Sequence, residues 1–163
     1  MMSTPPAGEI GLRPARLTDA APIKAILQAT FESTWGPQIT AEAARAFRGQ
    51  DRPGAYFAQS GLEFWVAERQ GEVVGFVHWR GDFVHALHVH PSQARRGVGS
   101  ALMDHAEAAI ASAGHRQVRL ETDTFNTRSR AFYAARGYAE IDSYPDTEWK
   151  SGLTTLLLVK TLG

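Results

Sequence analysis

The stretch that most constrains this chain is Arg95-Arg96-Gly97-Val98-Gly99-Ser100-Ala101-Leu102, entered through Leu87-His88-Val89-His90-Pro91. It reads as a buried strand, a short polar turn, then a basic glycine-rich loop that opens a helix. Glycine lacks a Cβ, so the backbone there can come close to a ligand. The first turn of a helix offers N–H groups with no intrahelical acceptor and the positive end of the dipole, which together make an anion site. Arg95 and Arg96 beside those amides suit a pyrophosphate, because planar guanidinium forks pair with phosphate oxygens. Taken alone, Gly-x-Gly fits a plain helix start, with glycines for turn geometry, more readily than a ligand site.

The rest of the chain supplies the context. Residues 1–8 read as a frayed tail and 9–163 as one domain. Ile10 to Arg13 is a strand candidate. Thr18-Asp19 caps a helix whose apolar positions Ile23, Ile26, Leu27 and Phe31 follow the 3.6-residue period until Trp35-Gly36-Pro37 breaks it. A second helix is expected from Thr40 to Phe47, then a loop from Gly49 to Gly61. Glu63–Arg69 and Val73–Trp79 flank Gln70-Gly71 as a hairpin, and Phe83–Val89 is a third strand of that run. After the glycine loop, Val98, Leu102, Ala106 and Ile110 mark one helix face that Gly114 ends. Gln117–Thr122 is a strand, Thr127–Arg136 a short helix with Asn126 as N-cap, and Tyr138–Tyr144 and Leu153–Lys160 a final strand pair. The order predicts a mixed α/β (α+β) protein, one sheet with helices on both faces.

Composition narrows the function classes. The chain has 17 basic and 17 acidic residues and no cysteine. Zero net charge gives no nucleic-acid footprint, and thiolate metal sites and a cysteine nucleophile are excluded. No apolar run approaches the roughly 20 residues of a membrane span, and no signal peptide is visible, so a cytoplasmic protein with no membrane partner is expected. The charges are unevenly placed. Seven arginines lie between Arg95 and Arg136, whereas from Gly137 onward two lysines face Glu140, Asp142, Asp146 and Glu148. That division suits an anionic cofactor beside a cationic substrate.

Several segments together resemble the GNAT superfamily of acetyl-CoA-dependent N-acetyltransferases. Leu12-Arg13-Pro14-Ala15 with Asp19 resembles its first strand and helix start, Val74-Gly75-Phe76 its third strand, and Leu87 to Leu102 its cofactor motif. Asn126, Ser129, Phe132-Tyr133 and Gly137-Tyr138 resemble its second signature. The resemblance covers nearly the whole chain. It implies a twisted mixed sheet of six to seven strands whose fourth and fifth strands splay apart around the pantetheine arm of acetyl-CoA. Backbone groups of Leu87, His88 and Val89 would bond that arm. The amides of Arg95, Arg96, Gly97, Val98, Gly99 and Ser100 would hold the pyrophosphate, and Asn126, Ser129 and Tyr133 would line the cofactor. Two positions depart from the family pattern. Ala94 stands where Gln or Arg is usual, and Phe83 stands where a glutamate often activates the amine.

Acetyl transfer to an amine requires loss of a proton from an alkylammonium whose pKa in water is near 10.4. It also requires donors for a developing oxyanion, for which the Val89 amide or its neighbour is suited by the resemblance, and an acid for the departing thiolate. Tyr133 fills the acid role in this reading. His85 or His88 is a candidate base or water-holder, with strand alternation placing His88 and His90 opposite His85, so that no metal site is expected. The family uses the loop after the first helix and the last hairpin for the acceptor. Here these carry Phe31, Glu32, Trp35, Tyr144, Asp146, Glu148 and Trp149, aromatics and carboxylates suited to an alkylammonium of a small molecule or peptide. Ala29 to Trp35 bears a faint resemblance to the polyamine-acetylating branch. The reading is direct transfer in a ternary complex. A non-catalytic acyl-CoA-binding domain is the alternative, and a longer acyl donor and a homodimer stay open.

Overall fold

The computed structural model describes residues 9–35, 37, 41–42, 45, 51–146 and 153–163. The expected N-terminal tail, most of the expected helix from Thr40 to Phe47, and Glu148 and Trp149 lie outside the described residues. The elements run β1 (Gly11–Pro14), α1 (Ala20–Thr30), α2 (Arg52–Ser60), β2 (Trp65–Arg69), β3 (Glu72–Arg80) and β4 (Phe83–Val89). They continue with α3 (Val98–Ser112), β5 (Gln117–Asp123), α4 (Thr127–Ala135), β6 (Ala139–Pro145) and β7 (Thr154–Thr161).

Seven strands form one sheet in the order β1-β2-β3-β4-β5-β7-β6. Only the β4–β5 pair is parallel; the other neighbours are antiparallel. The turn between β2 and β3 has Gln70 and Gly71 both at positive φ, 53° and 78°, the geometry that suits a two-residue hairpin. One face of the sheet carries α1 and α2, with Ile23, Ile26, Phe57, Phe64, Val66 and Phe76 buried between layers. The other carries α3, whose Val98, Leu102, Met103, Ala106 and Ile110 pack on Val77, Val84, Val118 and Leu120. Burying each of the larger of these side chains stabilises the fold by about 1.5–3 kcal/mol. Gly75 sets how closely α3 approaches. A Cβ there would lie 2.9 Å from the His88 carbonyl oxygen and 3.1 Å from a Val98 methyl.

Three local features differ from the sequence reading. Residues 52–60, expected as loop, form α2, because Asp51 accepts from the Gly54 amide at 3.2 Å and Pro53 falls in the permissive first turn. Asp19 precedes α1 but does not cap it. Its carboxylate turns back to the Arg16 amide (2.7 Å) and takes two bonds from Arg13 (2.8 and 2.9 Å). Finally, the helix runs on to Trp35 as the sequence indicates, but its last turn, Phe31–Trp35, is π-helical rather than α.

Candidate active site

The site is built around the place where two strands part. β4 and β5 pair only at Phe83–Arg119 and Val84–Leu120. Beyond Val84 the β4 backbone keeps β3 on one side and has no ladder partner on the other. The N–H and C=O groups of Leu87 to Val89 that face β5 are therefore free to bond an extended ligand as a strand would. At the wide end of the gap lies a cavity of about 430 Å³, lined by Ser33, Thr34, Pro91, Phe125, Asn126 and Arg128 among others.

The glycine loop closes one side of this gap. After β4, a 3-10 turn at Pro91–Gln93 leads to Arg95 at φ 63° and Gly97 at φ 84°, and α3 starts at Val98. Arg95 is a non-glycine residue in the left-handed region, a conformation that costs an L-residue about 1–2 kcal/mol. Arg69 supports the loop from β2, donating to the Gln93 side chain at 3.1 Å and to the Arg96 carbonyl at 3.4 Å. Arg95, Arg96 and Gly97 are exposed. A Cβ on Gly97 would have open space around it, so the loop is bare on its outer side.

Tyr133, from α4, reaches the sheet from the α3 side and is 7% exposed. Its ring meets Phe132 and Tyr138 edge-on, with centroids 5.1 and 5.4 Å away. Burial pushes its phenol well above the ordinary value, so it holds its proton at neutral pH. Behind it, buried Glu107 accepts from Tyr138 Oη at 2.8 Å and from Lys160 Nζ at 2.7 Å. Asn126 Oδ1 caps α4 through the Ser129 amide at 3.1 Å, and Asn126 also lines the cavity. Ser129 is turned elsewhere, its hydroxyl bonded to Thr122 Oγ1 of β5 at 2.8 Å.

On the opposite face, the π turn delivers Trp35 across the gap. Its indole N–H donates to Asp123 Oδ2 at 2.5 Å, and its ring lies 5.8 Å from the His88 ring. Trp35 thus touches both parting strands. His88 Nδ1 is 3.3 Å from Thr30 Oγ1, and that hydroxyl donates to the Leu27 carbonyl at 3.1 Å. Burial lowers the His88 pKa to about 4, so the ring is neutral at pH 7. Tyr144 Oη donates to Glu121 Oε2. Burial raises the Asp123 carboxyl, and the charges of Asp146 and Glu121 add to the rise while the Trp35 bond opposes it. Among the described residues no group of three His, Asp or Glu is placed to hold a metal ion, and no helix is long and apolar enough to cross a membrane.

Residues 22–138 match the acetyltransferase (GNAT) family. The peptidyl-lysine N-acetyltransferase YiaC of Escherichia coli K12 is 33% identical over 145 residues, 86% of this chain and 94% of that protein. The chain belongs to the GNAT acetyltransferase family. A GCN5-related N-acetyltransferase from Rhodopseudomonas palustris, 28% identical, superposes with a TM-score of 0.79 over 99% of this chain and 98% of its own. The PaiA N-acetyltransferase of Thermoplasma acidophilum, solved with coenzyme A, shares the fold at 18% identity and a TM-score of 0.74, over 94% and 99% of the two chains.

As a GNAT member this protein is an acyltransferase that uses acetyl-CoA, and a non-catalytic binding module is not favoured. The residues fit that cofactor: the loop offers exposed arginines and first-turn amides for a pyrophosphate, and the gap offers an unpaired strand edge. Acetyl-CoA, when bound, supplies the thioester carbonyl carbon that an amine attacks.

The expected acceptor residues separate on inspection. Trp35, Tyr144 and Asp146 converge near Asp123, and Glu32 is exposed on the π turn, but Phe31 is a core side chain at 6% exposure. The placing of His85 opposite His88 is corrected. β4 carries a bulge in which Ala86 and Val84 oppose the consecutive residues His78 and Trp79, leaving His85 without an opposite partner. The bulge turns His85 onto the same face as His88, where its ring meets His78 at 5.3 Å and Phe83 at 4.9 Å. It lies beside the still-paired end of β4, away from the cavity. Glu121 and Asp123 were absent from the expected site. Their signal was available, since alternation along β5 puts Arg119, Glu121 and Asp123 on one face at the end that leaves β4.

Proposed function

We propose that this enzyme moves an acetyl group directly from acetyl-CoA to an alkylammonium acceptor, a small-molecule amine or a lysine side chain of a peptide. The observation that carries this reading is the Trp35–Asp123 hydrogen bond across the wide end of the β4–β5 gap, with Tyr144 bonded to Glu121 beside it. Aromatic faces and carboxylates together attract an alkyl cation by its charge and by cation–π contact. The amides and arginines of the loop hold the pyrophosphate, Leu87 to Val89 hold the pantetheine arm, and Tyr133 gives a proton to the departing sulfur. The chain has no cysteine, so an acetyl-cysteine relay is excluded and the amine attacks within a ternary complex.

The 33% identity to a peptidyl-lysine acetyltransferase supports a lysine side chain as acceptor. A thiol-release screen with acetyl-CoA over lysine peptides, peptide N-termini, polyamines, amino acids and aminoglycosides tests the reading. Turnover with alkylammonium acceptors is expected. Turnover confined to neutral or aromatic amines would overturn it. Succinyl-CoA in the same screen tests the acyl donor.

A further inference from the structure

We propose that Asp123 takes the proton from the incoming alkylammonium; this rests on the alkylammonium reading given above. The usual glutamate position on β4 is Phe83, whose ring is covered by the Arg119 guanidinium at 5.3 Å and has no proton chemistry. A proton acceptor must therefore come from another element. β5 supplies one by alternation. Val118 and Leu120 are buried under α3, and Thr122 bonds Ser129, so Arg119, Glu121 and Asp123 point to the α1 face. Arg119 is held by Asp82 at 2.9 and 3.0 Å at the paired end, and Glu121 already accepts from Tyr144. Asp123 is the last residue of the strand, where the gap has opened.

Trp35 anchors one oxygen of this carboxylate, and no other described side chain donates to it. The anchored group faces the gap from the α1 side, while Tyr133 belongs to the cluster on the α3 side. The proton acceptor and the proton donor of this proposal thus lie on opposite faces of the sheet. The titratable groups that face Asp123 are Glu121 on its own strand, Asp146 after β6, Tyr144 through Glu121, and His88 through Trp35. Burial first, and then the two carboxylates, strengthen Asp123 as a base, and His88, being neutral, adds no competing cation. His88 itself is the weaker candidate, since burial reduces its proton affinity.

The protons balance. Asp123 takes one of the three ammonium protons, leaving a nitrogen lone pair that forms the C–N bond as the C–S bond breaks. Tyr133 protonates the departing sulfur and is restored by the second proton the nitrogen sheds. Asp123 returns its proton to water, so one proton is released for each amide formed.

Asp123→Asn keeps the size of the side chain and an oxygen for the Trp35 bond, and tests the assignment with a lysine peptide and with spermidine. At pH 7 its kcat/KM should fall about 100-fold or more, with coenzyme A affinity by calorimetry within twofold of the parent. The deficit should shrink at pH 10, where about a third of the acceptor is already neutral. Binding of the peptide to the protein–coenzyme A complex, read by calorimetry without turnover, should weaken about tenfold. A deficit of the same size at every pH, or unchanged peptide binding, would overturn the role of Asp123 while leaving the acceptor reading intact. A parent enzyme that acetylates no alkylammonium at all would overturn both.

Discussion

The two sides of the β4–β5 gap are constructed differently. The proposed cofactor side is one continuous segment, Leu87 to Leu102, and would work largely through backbone: an unpaired strand edge, amides at the start of α3, and two residues at positive φ. The proposed acceptor side gathers Trp35 from the π turn, His88 from β4, Glu121 and Asp123 from β5, and Tyr144 from β6, and would work through side chains. Where backbone makes the contact, a site tolerates changes of side chain but not of backbone geometry. One made of side chains behaves in the opposite way.

The largest effect should come from Tyr133→Phe, which keeps the buried ring and removes its proton. Turnover should fall roughly 100-fold or more, with acetyl-CoA affinity measured by calorimetry nearly unchanged. Equal losses in both would move Tyr133 from chemistry to the cofactor side of the comparison.

His88 gives a sharper test through pH. Its folded pKa, about 4, lies below the ordinary value near 6.5. Between these values the unfolded chain binds the proton and the folded one does not, so stability rises with pH across this window. It is complete above pH 6.5 and lost as pH falls toward 4. This contribution reaches up to roughly 3 kcal/mol, and urea titrations of His88→Asn should show a flatter pH dependence than the parent.

On the cofactor side, Gly75→Ala pushes a methyl against the His88 carbonyl and Val98. A loss of about 2 kcal/mol is expected, visible as a lower thermal midpoint, whereas a neutral result would show that α3 gives way easily. Arg96→Ala should weaken coenzyme A about tenfold while leaving the affinity of a pantetheine fragment unchanged; equal weakening would remove the phosphate role. The smallest effect separates two substitutions at one position. Arg95→Gly should be about 1 kcal/mol more stable than Arg95→Ala, because only glycine occupies φ 63° without strain.

The same contrast explains what could be read in advance. The backbone-built side is local in sequence, so the glycine loop, the Gln70-Gly71 turn, Asn126 as a cap and the strand Phe83–Val89 all stand in the structure as read. The helix α2 was hidden because Pro53 and Gly54 look like breakers until Asp51 is seen to start a turn there. Alternation failed at His85 because a bulge adds one residue without any signature in residue type. Asp123 was hidden for another reason. Alternation gives its face, but a carboxylate on a strand end reads as a solvated surface until Trp35, 88 positions away in the chain, is seen to bond it.

The π turn at the end of α1 gives the acceptor side a dependence on how the backbone is wound. A π turn holds one residue more than the α turn it replaces. At unchanged chain length, a regular α turn in its place would rotate the indole by about 100°, carrying it off Asp123 with every one of these side chains still present. The reach of the acceptor site is therefore encoded by winding as well as by chemistry, and a change of winding at this turn is a route by which relatives of similar composition can come to accept different amines.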